Sequence, residues 1–162
     1  MIWNFLKPVL IFIPLAALQL VVIPLISIYD VSPNLIIILV VYFTLLNGQI
    51  YGTLLGFLLG FIFDLISGGM LGASMLSYTI SAFIAGYFYN ENKIEINTTS
   101  LLFVLIVFLC GTVYSFIYSS IMNVNPDVSL LKLFIDIAIL PGLYTAIFGL
   151  PIIIFKPKKG IV

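Results

Sequence analysis

Two acidic side chains lie inside or at the ends of apolar stretches, where an ionisable group could do chemistry. They are Asp64 and Asp136. An ionised carboxylate is costly to bury in a membrane, so each is by default a candidate functional site. Structural roles are favoured for both. Asp64 could cap the turn or the helix that follows it, and Asp136 lies four residues after Lys132, at the spacing of a helical ion pair. The sequence does not bring the two acids together, so it predicts no proton relay.

A later apolar stretch carries two tyrosines and the single cysteine. Tyr114 and Tyr118 are four residues apart and share one helix face. They could line a cavity or pack in the core, and the core is favoured. Cys110 has no second cysteine with which to form an internal disulfide. None of these groups forms a recognisable catalytic set.

The residue types that are missing exclude several classes of chemistry. The sequence has no histidine and no arginine. Ser-His-Asp and Cys-His nucleophiles, histidine metal sites and bidentate arginine clamps are therefore ruled out. The repeated glycines lack the Lys-Ser/Thr pair that completes a phosphate-binding loop. We expect no enzymatic activity, no cofactor and no metal.

The composition predicts that the segments carrying these residues lie in a membrane. The chain has 162 residues, of which 63% are hydrophobic and 7% charged, with a formal net charge of zero. Its mean hydropathy is +1.32. A soluble domain is about 45–50% apolar and about 25% charged. The composition excludes a soluble enzyme, a disordered regulator and a nucleic-acid binder, and it predicts an integral membrane protein.

We predict one all-α membrane domain over residues 1–162, a compact bundle of about six transmembrane helices. A spanning helix needs about 20 mainly apolar residues. Residues 34–66 would make a single helix of about 50 Å, too long for a hydrocarbon core of about 30 Å. The polar cluster at Asn47-Gly48-Gln49 is a turn signal that divides this run into a hairpin. The predicted spans are approximately 8–28, 33–47, 50–66, 71–89, 100–122 and 130–155.

The lysines predict the orientation, because cytoplasmic loops carry an excess of positive charge. Six spans with a cytoplasmic N-terminus put five lysines in the cytoplasm: Lys7, Lys93, Lys156, Lys158 and Lys159. Asp30 and Asp127 then face outward, and only Lys132 lies on the outer side. We therefore expect both termini in the cytoplasm.

Small residues recur every four positions along three predicted spans. Positions four apart lie on one helix face, and small residues let helices approach closely in lipid, where little hydrophobic drive brings them together. This pattern predicts a compact bundle with span three at its centre. The groove could instead dock a helix of another protein, although internal packing is favoured. The candidate residues are Gly48, Gly52, Gly56, Gly60, Asp64, Gly68 and Gly72, then Ala73, Ser77, Ser81 and Ala85, and finally Gly111, Ser115 and Ser119.

The last predicted span contains Pro141-Gly142 near its middle. A proline removes one helical hydrogen bond and clashes with the preceding turn. We predict a kink at Pro141, and a static kink is favoured over a moving hinge.

Residues 33–87 carry an ordered series of short motifs: Pro33-Asn34-Leu35, Asn47-Gly48, Gly52, Gly56-Phe57-x-x-Gly60, Asp64-Leu65, Ser67-Gly68-Gly69, Leu71-Gly72 and Gly86-Tyr87. In this series the segment resembles the rod shape-determining protein MreD family. It departs from the family pattern at Asn34, where the family often has an acid, and at Phe61, where leucine is common.

The resemblance implies a non-enzymatic scaffold or regulator in the bacterial cytoplasmic membrane. Its partners would be an MreC-like bitopic protein, the actin-like MreB and the glycosyltransferase and transpeptidase that build lateral peptidoglycan. The protein would bind these partners through its helices. It would also contact membrane lipid, and it would bind no nucleic acid.

The sequence is also compatible with a second class of function. Six short spans around a small-residue core also resemble the substrate-binding component of energy-coupling-factor transporters, a fold that the MreD family is thought to share. Such a component would bind a vitamin and need an ATPase partner. Vitamin sites usually need several convergent polar groups, and the candidates here are few: Asp64, Asp136, Tyr114, Tyr118 and some hydroxyls. A small membrane assembly factor of no particular family is the third alternative.

Overall fold

A computed structural model describes residues 2–27, 31–122 and 135–155, and its regular elements in those ranges are helices. Side chains are described in these ranges except for residues 2–5, 135, 136, 152, 154 and 155. The seven α-helices are α1 (Ile2–Val21), α2 (Leu35–Asn47), α3 (Gln49–Ser67), α4 (Ala73–Gly86), α5 (Ile94–Thr99), α6 (Leu101–Met122) and α7 (Leu140–Phe155). Short 3-10 turns lie at Ile23–Ile26 and Glu91–Lys93, and a π-helical turn at Ile135–Ile139 leads into α7.

Two of these helices, α3 and α6, are long and apolar enough to cross a membrane, judged by length and composition. Shorter apolar helices cover Leu6–Val21, Leu35–Asn47, Ala73–Gly86 and Ile137–Pro151. Each predicted span overlaps one of these six helices. The first predicted span differs most from its helix. This helix begins at Ile2 and ends at Val21, and the chain around Pro24 then forms the 3-10 turn Ile23–Ile26.

The long apolar run of residues 34–66 breaks at the polar cluster. Helix α2 ends at Asn47 and α3 begins at Gln49. Between them Gly48 has a φ of +97°, a conformation that glycine adopts without steric cost. Its N–H donates to the Thr44 carbonyl over 2.9 Å, which closes the last turn of α2.

The central helix is α2, so the prediction that span three occupies the centre was wrong. Every residue from Ile36 to Val41 is buried, and α2 contacts α1 and α3 to α7. By contrast α3 leaves large side chains such as Leu54 and Leu65 exposed on one face. Helix α2 is therefore surrounded by other helices, whereas α3 meets neighbours on one side only.

Candidate functional site

The glycines of α3 form a face on which α4 lies in backbone contact. A Cβ added at Gly56 would lie 2.7 Å from the Tyr78 carbonyl oxygen, and one at Gly60 would lie 2.5 Å from the Met75 Cα. Side-chain carbons do not approach other atoms this closely. At Gly52, an added Cβ would meet the Thr44 side chain of α2. The groove predicted on this helix is therefore filled by helices of the same chain.

The last glycines of the four-residue spacing lie outside the helix. Gly68 and Gly72 have φ values of +66° and +99° and belong to the loop between α3 and α4. A Cβ on either would meet nothing within 4 Å. Their spacing continues that of the helix, but they shape a turn instead of a packing face, because their left-handed backbone favours glycine.

Asp64 joins the end of α3 to the beginning of α4. Its side chain is 2% exposed. Oδ2 accepts hydrogen bonds from the backbone N–H groups of Gly72 (2.8 Å) and Met75 (3.2 Å), and Oδ1 accepts one from Ser74 (3.1 Å). The first N–H groups of a helix have no partner within it, and a negative charge near them is stabilising. Asp64 is therefore the cap of α4, supplied from the preceding helix because Gly72 has no side chain.

A second buried polar cluster joins α2, α4 and α7. The Asn34 Oδ1 accepts from the N–H groups of Ile36 (3.0 Å) and Ile37 (3.1 Å) and from the Tyr78 hydroxyl (3.0 Å). The Asn34 N–H donates to Thr145 Oγ1 over 2.9 Å, and this hydroxyl donates in turn to the Pro141 carbonyl over 2.7 Å. One asparagine thus caps α2 and holds two other helices against its beginning.

Stacked tyrosines connect this cluster to α6. The rings of Tyr78 and Tyr114 have centroids 4.5 Å apart and an interplanar angle of 22°. Tyr118 stacks on Tyr114 at 5.7 Å and 13°. Tyr78 is fully buried and Tyr114 is 7% exposed. Of the two tyrosines singled out in the sequence, Tyr114 is buried in the core and Tyr118 is half-buried against it. Tyr78 is a third tyrosine that the pattern did not reveal.

The small residues of α4 are buried, as are their neighbours on that face. The Ser77 hydroxyl donates to the Ala73 carbonyl of its own helix over 2.7 Å. The Ser81 hydroxyl is buried without a hydrogen-bond partner in the described structure. On α6, Gly111 faces α7, where an added Cβ would lie 3.3 Å from the Gly142 Cα. Two helix pairs, α3 with α4 and α6 with α7, therefore pack in close contact.

Asp136 and Pro141 lie where the regular helix changes form. Asp136 belongs to the π-helical turn Ile135–Ile139, and its side chain and Lys132 lie outside the described residues. Pro141 follows directly, in the first turn of α7. Proline cannot supply the N–H for a regular helical bond, and π turns are a usual site of helix bending. The structure thus shows a π turn that ends two residues before Pro141, and the kink at Pro141 itself stays a prediction.

Sequence reasoning missed the Asn34–Tyr78–Thr145 cluster as a site. An asparagine directly before an apolar run is an N-cap signal and could have revealed the role of Asn34 at α2. Nothing local could have revealed Thr145, because it is 111 residues away along the chain.

Replacing Tyr78 by phenylalanine tests how much this cluster stabilises the bundle. The variant removes one buried hydrogen bond but leaves the ring and its stacking in place. We expect the free energy of unfolding to fall by about 1 kcal/mol. The measurement is thermal unfolding in detergent, followed by a thiol-reactive dye at Cys110, which is buried in the folded chain. Tyr87→Phe is the control, because Tyr87 is 71% exposed. Equal melting temperatures for the two variants would contradict the prediction.

The polar groups of the site therefore act on helix ends and on one another. No group of three or more His, Cys, Asp or Glu side chains that could hold a metal occurs among the residues that the structure describes. Asp64 and Asn34 each accept three hydrogen bonds, which fixes the beginnings of α4 and α2. The arrangement provides a bundle with an apolar outer surface that includes the exposed Leu54 and Leu105.

Comparison with known proteins gives one match. The family model described as rod shape-determining protein MreD matches residues 1–158. No curated protein and no solved structure matches the chain.

Proposed function

Because the chain belongs to the rod shape-determining MreD family, we propose that it is a scaffold of the bacterial cell-elongation machinery. In this proposal it is non-enzymatic and crosses the cytoplasmic membrane several times. It binds an MreC-like bitopic protein through helix contacts. That partner links it to MreB and to the glycosyltransferase and transpeptidase of lateral peptidoglycan synthesis. The family match over 158 of 162 residues carries the proposal.

The geometry of the polar groups supports a scaffold. The Asp64 carboxylate is occupied by three backbone N–H groups, and Tyr114 is stacked between two other tyrosines. Two of the four groups that could have lined a vitamin pocket are thus used within the bundle. Large exposed side chains such as Leu10, Leu54 and Leu105 give it an apolar outer surface. In lipid, such a surface can contact acyl chains or the helix of a partner.

We further propose six spans with both termini in the cytoplasm. The test replaces the native cysteine (Cys110→Ala) and then introduces single cysteines by Asp30→Cys, Asp127→Cys or Asn92→Cys. A membrane-impermeant thiol reagent should label positions 30 and 127 in intact cells, and position 92 only after permeabilisation. Asn92 is exposed in the loop before α5 and serves as the matched control. The reverse labelling pattern would overturn the orientation.

Depletion of the protein in the bacterium that carries it tests the proposed role. We expect cells to widen and lose their rod shape as the protein disappears, and a plasmid copy to restore their width. Vitamin uptake measured in the same cultures should stay unchanged. Normal cell width together with reduced vitamin uptake would refute the scaffold and favour a transporter component.

A further inference from the structure

An apolar cleft lies between α1, α2 and α7. Its volume is 410 Å³. Aromatic and branched aliphatic side chains form its walls, and its α1 side reaches the outer surface, since Ile11 is 46% exposed. The walls include Ile11 and Leu15 of α1, Leu35, Leu39 and Phe43 of α2, and Phe148 of α7.

The direction of α1 places a lysine beyond one end of this cleft. The Gln19 side chain donates to the Pro33 carbonyl over 3.0 Å and accepts from the Leu35 N–H over 2.8 Å, so the end of α1 meets the beginning of α2. The two helices therefore run in opposite directions. Lys7 precedes Ile11 by four residues on the same face of α1. It is exposed, and helix geometry places it about 6 Å along α1 beyond Ile11, toward the end of the cleft nearest Phe43.

The length and cross-section of the cleft indicate which kind of molecule can lie in it. From Leu35 to Phe43 it follows about 12 Å of helix. Its volume of 410 Å³ then gives a mean cross-section of about 34 Å² over that length. A helix with side chains is about 10–12 Å wide, which needs roughly 80–110 Å². A partner helix could insert only side chains into so narrow a groove, whereas a single hydrocarbon chain can lie along its whole length.

We propose that the cleft binds one acyl chain of an anionic membrane phospholipid, with the phosphate at Lys7. The apolar walls match the chain, and the positive charge at the end of the cleft matches the headgroup. Lysine near a membrane surface extends its ammonium group toward the lipid phosphates while its methylene stem stays on apolar surface. This site is separate from the proposed scaffold role, because it depends only on the position of α1 against α2 and α7.

Native mass spectrometry of the detergent-purified full chain tests the proposal. The probes are phosphatidylglycerol and phosphatidylcholine with identical acyl chains. We expect the wild-type protein to retain one phosphatidylglycerol in preference to phosphatidylcholine. In Lys7→Gln this preference should fall about five-fold. Equal retention of the two lipids by the wild-type protein would overturn the assignment of the headgroup to Lys7.

A matched pair of variants locates the acyl chain. Ile11→Trp adds a large ring at a cleft-lining position that is partly exposed, and it should abolish the specific lipid adduct. Leu10→Trp adds the same ring at the neighbouring position, which is 59% exposed, and should leave the adduct unchanged. Protection of the buried Cys110 thiol shows that both variants are folded. An adduct that survives in folded Ile11→Trp would refute binding in the cleft.

Discussion

Asp64→Ala is expected to lower the free energy of unfolding by about 3 kcal/mol, because it leaves three N–H groups at the beginning of α4 without an acceptor. Asp64→Asn keeps one accepting oxygen, which can still serve Gly72 and Met75, so we expect a smaller loss of about 1 kcal/mol. The measurement is the melting temperature in detergent, reported by labelling of the buried Cys110 thiol.

Glu95→Ala is the control for removal of an acid, because Glu95 is exposed. It should melt close to the wild-type temperature.

The order of stability of the two Asp64 variants also separates two roles for this residue. A structural cap predicts that cell-shape complementation falls in parallel with stability through Asp64→Asn and Asp64→Ala. An Asp64→Asn protein with wild-type stability and no complementation would instead indicate a proton-dependent function and contradict the capping role.

Gly60→Ala should be the most damaging single-methyl addition in the described chain, with a loss of about 2–3 kcal/mol. The added Cβ would meet the backbone of α4 at Met75, and a backbone cannot rotate away as a side chain can. The two helices must separate, which weakens the contacts along their whole interface. Gly56→Leu should be worse still, with protein failing to accumulate in membranes. Thermal unfolding and membrane abundance are the measurements.

Gly69→Ala is the matched control for these glycine variants. Gly69 lies in the loop after α3, and an added Cβ would meet only the Ser67 hydroxyl at 3.5 Å, an ordinary contact. Its melting temperature should stay near that of the wild type. If Gly60→Ala and Gly69→Ala melt together, the α3–α4 contact does not hold the bundle as described.

Much of the architecture could be predicted because it depends on local signals. The break at Gly48 follows from a polar cluster inside a run too long for one span. The cap by Asp64 was open to sequence reasoning because its hydrogen-bond donors lie only eight to eleven residues away. The same local spacing indicated contact at Gly56 and Gly60 and favoured an internal helix, although it left a helix of another protein open.

The rest could not be predicted because lipid and protein interior are equally apolar. In water, a buried helix differs from an exposed one by its pattern of polar residues. In a membrane both patterns are apolar, so nothing in the sequence of α2 distinguished the central helix from a peripheral one. The contact between Asn34 and Thr145 depends on that arrangement and joins residues 111 apart.

Identification of the partner in native membranes tests the central claim most directly. A photo-crosslinking amino acid is placed at exposed positions on three helices, Leu10, Leu54 and Leu105, and at the fully buried Leu59 as a control. After irradiation, the tagged protein is purified and its adducts are identified by mass spectrometry. The scaffold account predicts an MreC-like protein and peptidoglycan elongation enzymes from at least one exposed position and none from Leu59. Recovery of a transporter ATPase module at the exposed positions would contradict it.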